Sequence, residues 1–281
     1  MSILIVATAT LHAQNLHITL FGGFSNYQGD MQDKKFTLQE SHPAAGIGVR
    51  YEITDQLSAR ANVTFGTVSA DDKRSTNINI LERNLNFTTN ITDIHLGLEY
   101  DLISIYEHRV VPYIFGGVSV FTFNPYTHDT SGQKVYLQPL GTEGQGFYNG
   151  RKKYNLTQLA IPLGGGVKFA VSDNFTVGLE VGFRKLFTDY IDDLSMSYAD
   201  QNQLLANNGP KAVELAFRGD ELHTGLKYPP INTIRGNPKS KDWYYFSGIT
   251  LAFRIVTGDE KYYSGKQHAG KSKLGCPTRV Y

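Results

Sequence analysis

The sequence contains one cysteine and one tryptophan in 281 residues, and it has no run of the roughly 18 apolar residues that a membrane-spanning helix needs. The sequence also has no excess of one sign of charge, because it contains 27 Lys and Arg and 26 Asp and Glu. That balance indicates neither a nucleic-acid ligand nor an acidic one. A mean hydropathy of −0.29, with 28 Gly, 17 Tyr and 16 Phe, argues against a helical membrane protein and against a disordered chain.

The first residues resemble the end of a secretion signal. A short apolar stretch, residues 3–11, is followed by His12, Ala13 and Gln14, which resembles an h-region and its small-residue cleavage site. The basic start of such a signal is missing, so an ordinary buried strand is the alternative. We expect residues 1–13 to be a signal-peptide remnant and the protein to be exported.

The stretch 175–183 has the clearest pattern in the chain. Apolar residues occupy every second position, the positions between them carry Thr176, glycine and Glu180, and Arg184 continues the polar positions directly after the stretch. Side chains of a β-strand alternate between two faces, so this strand has one apolar face and one polar face. Membrane barrels have such strands, with lipid outside and a polar lumen inside.

Eight runs share this alternation, and the links between them alternate between short and long. The runs are residues 16–27, 44–53, 56–69, 84–102, 109–123, 156–172, 174–188 and 242–256. Outer-membrane barrels have short periplasmic turns, long extracellular loops and both termini in the periplasm. The sequence therefore predicts an all-β fold, an eight-stranded antiparallel transmembrane β-barrel over residues 14–256, with long extracellular loops. A soluble β-sandwich is the alternative, but it gives no reason for link lengths to alternate.

Along each strand, the two alternating sets of positions are predicted to point to opposite faces of the barrel wall. The more apolar parity should face lipid, for example at Ile47, Leu96 and Leu179. The opposite parity places charges of both signs in the lumen, namely Arg50, Glu52, Arg60, Asp93, His95, Glu99, Lys168, Glu180, Arg184 and Arg254. An eight-stranded barrel has room only for side chains, so these charges should pair and fill the lumen instead of lining a channel.

The sequence contains little that indicates a catalytic site or a metal-binding site. No G-x-S-x-G motif occurs, and His95 and Glu99 lie about 13 Å apart on one strand face, too far for an acid–base pair. We therefore expect no enzyme activity and no cofactor. Asp189, Asp192 and Asp193 could bind a cation, but their spacing matches no calcium loop, and an ordinary solvated acidic loop is the favoured interpretation. Residues 195–206 could form a short helix above the barrel.

The barrel does not need the C-terminal segment, residues 257–281, which is predicted to be a periplasmic tail. The segment is basic and ends near the single cysteine, Cys276. One interpretation is a flexible end. The other is a docking arm for a periplasmic partner, with Cys276 available for a disulfide in that oxidising compartment.

Several segments together resemble a known family. They are Tyr27-Gln-Gly-Asp30, Phe121-Thr-Phe-Asn-Pro125, Gln138-Pro-Leu-Gly-Thr-Glu-Gly-Gln-Gly146, Phe187-Thr-Asp-Tyr-Ile-Asp-Asp193, Arg235-Gly-Asn-Pro238, Asp242-Trp-Tyr244 and Cys276-Pro277. In this order and spacing the chain resembles the PorG-type outer-membrane barrel proteins of the Bacteroidetes type IX secretion system.

The resemblance implies a non-enzymatic role in protein secretion. A PorG-type protein anchors a periplasmic ring containing a lipoprotein to the outer membrane, in a system that also supports gliding motility in some species. Carried over to this chain, the partner-binding residues would lie in the tail, at Lys271, Lys273, Cys276, Pro277 and Arg279. The alternatives are a channel for small solutes or hydrophobic ligands, and an outer-membrane lipid-modifying enzyme.

Overall fold

The structure is a computed structural model that describes residues 16–32, 40–222 and 225–255. The described part contains ten strands: β1 (Leu16–Gln28), β2 (His42–Glu52), β3 (Leu57–Asp71), β4 (Asn86–Asp101), β5 (Val110–Thr122), β6 (Tyr126–His128), β7 (Lys134–Tyr136), β8 (Thr157–Ser172), β9 (Phe175–Leu186) and β10 (Trp243–Arg254). It also contains three α-helices, α1 (Ile78–Arg83), α2 (Gln201–Asn208) and α3 (Pro210–Ala216), and three short 3-10 helices. None of the helices in these residues is long and apolar enough to cross a membrane.

Eight of the ten strands close into one barrel. They follow the order β3-β2-β1-β10-β9-β8-β5-β4, and a further pairing between β3 and β4 joins the two edges. Every pairing is antiparallel, so the barrel is an up-and-down barrel without free edges. The predicted eight-stranded antiparallel barrel is confirmed.

The lengths of the links divide the barrel into two ends. The short links, residues 53–56, 102–109 and 173–174, lie at one end together with Leu16 and Arg254. The long links, 29–41, 72–85, 123–156 and 187–242, lie at the other end. The short hairpin β6–β7 and the three helices all belong to the long links. The helix suggested for residues 195–206 begins later, because Asp200 caps the first turn of α2 through the backbone N–H of Gln203 at 2.9 Å.

The outer surface of the barrel is an apolar belt. Leu179 is 65% exposed and Leu96 56% exposed, although both lie in the middle of strands. On β8 and β9 the outward apolar residues extend over 159–171 and 175–183, which at about 3.3 Å per residue and a typical strand tilt gives roughly 20–30 Å. A belt of this height matches the roughly 25 Å apolar band of outer-membrane barrels.

Aromatic residues near the strand ends lie on both faces of the barrel wall. Tyr51, Tyr100 and Trp243 lie on the outward parity at strand ends, as expected of membrane-interface aromatics. Tyr113 and Tyr244 lie near strand ends as well, but they point inward and are buried. They face inward because their hydroxyl groups donate to lumen carboxylates, Glu180 and Asp93, at 2.8 and 2.7 Å.

The interior is filled from one end to the other. At the long-link end an aromatic cluster containing Tyr27, Phe87, Phe121, Phe123 and Tyr244 fills the barrel mouth. At the short-link end, Ile105 folds under the barrel and packs with Val111 and Ala170. The charged residues of the lumen lie between these two apolar layers.

Candidate functional site: charged lumen and loop cap

The predicted lumen charges all lie on the inward faces of the barrel strands. Arg50, Glu52, Glu99, Lys168, Glu180, Arg184 and Arg254 are each at most 9% exposed, and the side chain of Arg60 is 9% exposed. Asp93 and His95 are fully buried beside them. Two further members, His17 and Asp101, are missing from the predicted set, although Asp101 follows Glu99 at the two-residue spacing of one strand face.

Glu99 is the centre of this arrangement. Its carboxylate accepts from Lys168 Nζ at 2.8 Å, from Arg60 Nη1 at 3.1 Å and from Arg50 Nη1 at 3.3 Å. Lys168 also contacts Asp101. Three cations from three different strands therefore meet at one buried carboxylate on β4.

Arg60 connects Glu99 to the opposite wall. It forms a two-pronged pair with Glu180 on β9, at 2.9 and 3.0 Å, which is the strongest geometry for an arginine–carboxylate contact. The guanidinium also lies 4.2 Å from the centre of the Phe115 ring. Room for this ring comes from Gly164 and Gly182, since a Cβ added at either residue would lie 2.4 or 2.8 Å from the ring.

Arg184 lies at the edge of the charged layer that is nearer to the long-link end of the barrel, which we call the upper end. Its Nη2 lies 3.3 Å from Asp93 Oδ1, and Tyr244 donates to the other oxygen of Asp93 at 2.7 Å. At the lower edge, Glu52 contacts His17 at 2.8 Å and accepts from the Tyr106 hydroxyl at 2.6 Å. Tyr106 belongs to the link between β4 and β5, so this link closes the lumen from below.

The strand charges inside the lumen balance. We call the following residues the charged core: the cations Arg50, Arg60, Lys168, Arg184 and Arg254, and the carboxylates Glu52, Asp93, Glu99, Asp101 and Glu180. A cavity lined by Arg50, Arg60, Glu99 and Glu180 has a water-accessible volume of about 40 Å³. That is room for about three water molecules and far too little for a continuous pore.

The long links form a second buried polar layer, the loop cap. It is built around two guanidiniums, Arg83 and Arg235. Arg83 forms a two-pronged pair with Asp72, both contacts at 2.7 Å. Arg235 contacts Glu143 Oε1 at 3.2 Å and donates to backbone carbonyls of Ala216 and Asp193. Links that lie far apart in sequence are thereby joined above the barrel.

The interpretation of Asp189, Asp192 and Asp193 as a solvated acidic loop is wrong. All three are at most 2% exposed. Asp192 accepts from the Tyr27 hydroxyl at 2.5 Å, and Asp193 accepts from the Tyr154 hydroxyl at 2.8 Å. These partners come from β1 and from the link before β8, which local spacing cannot reveal. Within the residues that the structure describes, no group of three or more His, Cys, Asp or Glu is arranged to hold a metal ion.

Burial raises the pKa values of several aspartates in the loop cap. Desolvation raises the pKa of Asp193 to about 6, although Arg235 opposes the shift. Desolvation also raises the pKa of Asp189 to about 6, against the opposing influence of the Ser195 hydroxyl. The pKa values of Asp192 and Asp242 are raised well above their ordinary range, by burial and by the neighbouring carboxylates.

Asp189→Asn is expected to stabilise the loop cap at pH 8 and to have little effect at pH 4. The unfolded pKa is about 3.8 and the folded pKa about 6, so the folded state binds the proton more tightly. The stability contributed by protonated Asp189 is thus complete at low pH and is lost as pH rises through 6. Two pKa units correspond to at most ~3 kcal/mol. The measurement is the melting midpoint followed by fluorescence of the single tryptophan, Trp243, in detergent.

Asp220→Asn provides the matched control, because Asp220 lies in the same long link and is exposed. It should leave the melting midpoint unchanged at both pH values. Equal effects of Asp189→Asn at pH 4 and pH 8 would contradict the assigned burial cost.

The tail residues that the resemblance implies for partner binding, namely Lys271, Lys273, Cys276, Pro277 and Arg279, lie outside the described residues. The predicted signal-peptide remnant, residues 1–13, lies outside them too. The lumen charges are therefore the predicted site residues whose positions the structure describes.

A comparison with known protein families shows to which family the chain belongs. Residues 1–208 match the model of a family described as a domain of unknown function, DUF6089. The chain belongs to this family. No curated protein matches this DUF6089 chain.

Several solved structures are similar to this DUF6089 chain. Neisserial surface protein A has 10% identity and a TM-score of 0.43, with 86% of this chain and 97% of that chain covered. OprG of Pseudomonas aeruginosa has 12% identity and a TM-score of 0.41, with 86% and 98% covered. Ail of Yersinia pestis has 11% identity and a TM-score of 0.37, with 85% and 97% covered. Similarities at this level carry no conclusion about what the DUF6089 chain binds or transports.

Proposed function

We propose that this protein is a non-enzymatic component of the type IX secretion system that anchors a periplasmic lipoprotein ring to the outer membrane. The observation that carries the proposal is the filled lumen. A barrel whose interior is occupied by paired charges between two apolar layers has no path for a solute. Its function must then lie at its two ends, in the loop cap and in the segments outside the strands.

Outer-membrane residence is supported by the outward face of the barrel. Ile47, Leu98 and Leu163 are each about half exposed, and burying such a belt in lipid removes the cost of presenting it to water. The strand termini Leu16 and Arg254 lie at the end with short links. In outer-membrane barrels that end is periplasmic, so the C-terminal tail would enter the periplasm.

The channel alternative conflicts with the charged core. Opening a passage would require breaking contacts such as Glu99–Lys168 and Arg60–Glu180, leaving buried charges without partners. Separating a buried ion pair in this way typically costs 3–5 kcal/mol. A hydrophobic-ligand channel would in addition need a larger apolar cavity, whereas the cavity between the lumen side chains is about 40 Å³ and six of its lining residues are charged, among them Arg50, Glu99 and Glu180.

The type IX assignment rests on the resemblance to the PorG-type proteins and on the tail. Residues 257–281 are basic, and they carry the single cysteine at Cys276. A basic segment that follows a strand end on the periplasmic side could meet a soluble ring, and a cysteine in that compartment can be oxidised to a disulfide. We therefore assign ring binding to Lys271, Lys273, Cys276, Pro277 and Arg279.

The test is co-purification of the ring lipoprotein with the full-length protein from solubilised membranes. Deleting residues 257–281 should lower recovery of the lipoprotein at least about tenfold, since about 1.4 kcal/mol of lost binding already gives that factor. Cys276→Ser should abolish any covalent adduct on a non-reducing gel. Lys261→Ala, which lies 15 positions before Cys276 in the sequence, should leave recovery unchanged. Unchanged recovery after both the deletion and Cys276→Ser would overturn the proposal.

A further inference from the structure

The outward surface of the barrel carries almost no charge, and the main exception lies at one place. Among the outward-facing residues of the eight barrel strands, Lys185 and Asp71 are the only charged ones, and both lie at the end with long links. Lys185 is exposed near the end of β9, and its strand neighbours are Trp243 on β10 and Ile161 on β8. A cation therefore lies at the upper border of the apolar belt, beside the single tryptophan.

Two more exposed lysines lie close to Trp243 in the sequence. Lys239 and Lys241 belong to the segment that leads into β10, directly before Trp243. Asp242, the carboxylate that directly follows them in the sequence, is buried. Lys241 donates to the backbone carbonyl of Pro238 at 2.8 Å and interacts electrostatically with Asp189 and Asp30. We call Lys185, Lys239, Lys241 and Trp243 the basic rim.

An apolar ladder continues below the basic rim. Phe183 lies one outward position below Lys185 and pairs with Leu163 of β8. Leu179 and Val167 form a pair further down, and both are exposed. From top to bottom this face offers cations, aromatic rings and then aliphatic side chains, which is the order of phosphate, sugar and acyl chains in a phosphorylated glycolipid.

The opposite side of the barrel lacks this order. At the same end, the outward residues of β3 and β4 are polar, Asp71 is the one charged residue among them, and Thr67 donates to Asn90 at 3.0 Å. The outward positions of those strands near their long-link ends include Thr88 and Thr92 but no lysine and no aromatic residue above Phe65. Two exposed cations, Lys73 and Arg74, follow β3 at this end, but carboxylates accompany them: Arg74 contacts Glu40 at 2.8 Å, and Asp71 accepts from the backbone N–H of Lys73 at 2.9 Å. The β3–β4 side therefore lacks the combination of an outward-facing lysine with aromatic rings that the β8–β10 side carries.

We propose that the β8–β10 face binds a phosphate-bearing glycolipid of the outer leaflet, with the lysines of the basic rim contacting its phosphate. This inference rests on the outer-membrane placement in the proposed function. It adds a specific lipid partner to the proposed function, and it predicts that this lipid binds one side of the barrel, the β8–β10 face. Each lysine near an anionic lipid surface adds favourable electrostatic energy, so the three together can select phosphorylated lipid over neutral lipid.

The test measures lipid binding to the full-length protein in detergent micelles. The probes are a phosphorylated lipid A and the same lipid after removal of its phosphates, and binding is followed by Trp243 fluorescence and by native mass spectrometry. Wild-type protein should bind the phosphorylated form at least tenfold more tightly. The triple variant Lys185→Gln, Lys239→Gln, Lys241→Gln should lose this preference, whereas Lys73→Gln, which removes an exposed lysine after β3, should retain it.

Three outcomes would overturn the inference: equal binding of both lipids to wild-type protein, an unchanged preference in the triple variant, or displacement of the lipid by inorganic phosphate at equal concentration. The last would show a site for a free anion. Folding of each variant is checked by its heat-dependent shift on a gel. Failure of the inference is distinguishable from failure of the proposed function, because bilayer insertion and ring co-purification are measured separately on the same variants.

Discussion

Glu99→Gln is expected to destabilise the barrel by ~3–5 kcal/mol, the largest effect of a single substitution in the lumen. The side chain keeps its shape, but Lys168, Arg60 and Arg50 lose the carboxylate that they share at 2.8, 3.1 and 3.3 Å. All three cations stay buried without enough negative charge, and removing one partner of a buried pair costs about this amount. The measurement is the urea midpoint of unfolding in detergent.

A second substitution separates charge imbalance from loss of packing. Lys168→Met in the Glu99→Gln background makes the numbers of cations and carboxylates in the charged core equal again. Although Asp101 loses its contact with Lys168, the double variant should recover part of the lost stability. A double-mutant cycle measures this coupling directly. Glu107→Gln, in the exposed link between β4 and β5, should change the midpoint by less than about 0.5 kcal/mol. A Glu99→Gln midpoint equal to that of this control would refute the role given to the charged core.

Arg235→Met is expected to open the loop cap while the barrel stays folded. Arg235 contacts Glu143 at 3.2 Å and donates to the carbonyl of Ala216 at 3.0 Å, and it is 4% exposed. Its loss leaves Glu143 buried without its guanidinium partner, at a cost of ~3–5 kcal/mol that falls on the long links alone. Limited proteolysis should then cut within residues 123–156 or 187–242 at least tenfold faster than in the wild type.

Two variants serve as controls for this experiment. Lys227→Met removes an exposed cation from the same long link and should leave the cleavage rate unchanged. Arg235→Lys keeps the charge but loses the planar fork, so its rate should be intermediate. Loss of the heat-dependent gel shift in Arg235→Met would show that the cap and the barrel unfold together, which contradicts the division into two layers.

The barrel could be predicted from the sequence because its determinants are local. Alternation within a strand assigns each side chain to a face, so Leu179 and Glu180 are placed on opposite sides without knowledge of any neighbour. The alternation of short and long links supplies the topology. Even the two omitted lumen residues, His17 and Asp101, lie on the predicted inward parity.

The partners of these residues could not be predicted, because they depend on register across the barrel. Arg60 and Glu180 are 120 positions apart, and Tyr27 and Asp192 are 165 apart. The loop cap was missed for the same reason. The acidic residues near Asp192 have the composition of a solvated loop, and only tyrosine and arginine side chains from distant links make their burial possible.

The most direct test of the filled lumen is the conductance of the purified full-length protein in a planar bilayer. The paired charges and the cavity of about 40 Å³ predict no discrete conductance steps at 1 M salt, even though insertion is verified by protease protection of the barrel. Stable, salt-dependent conductance steps from correctly inserted wild-type protein would contradict the filled lumen, and with it the assignment of function to the two ends of the barrel.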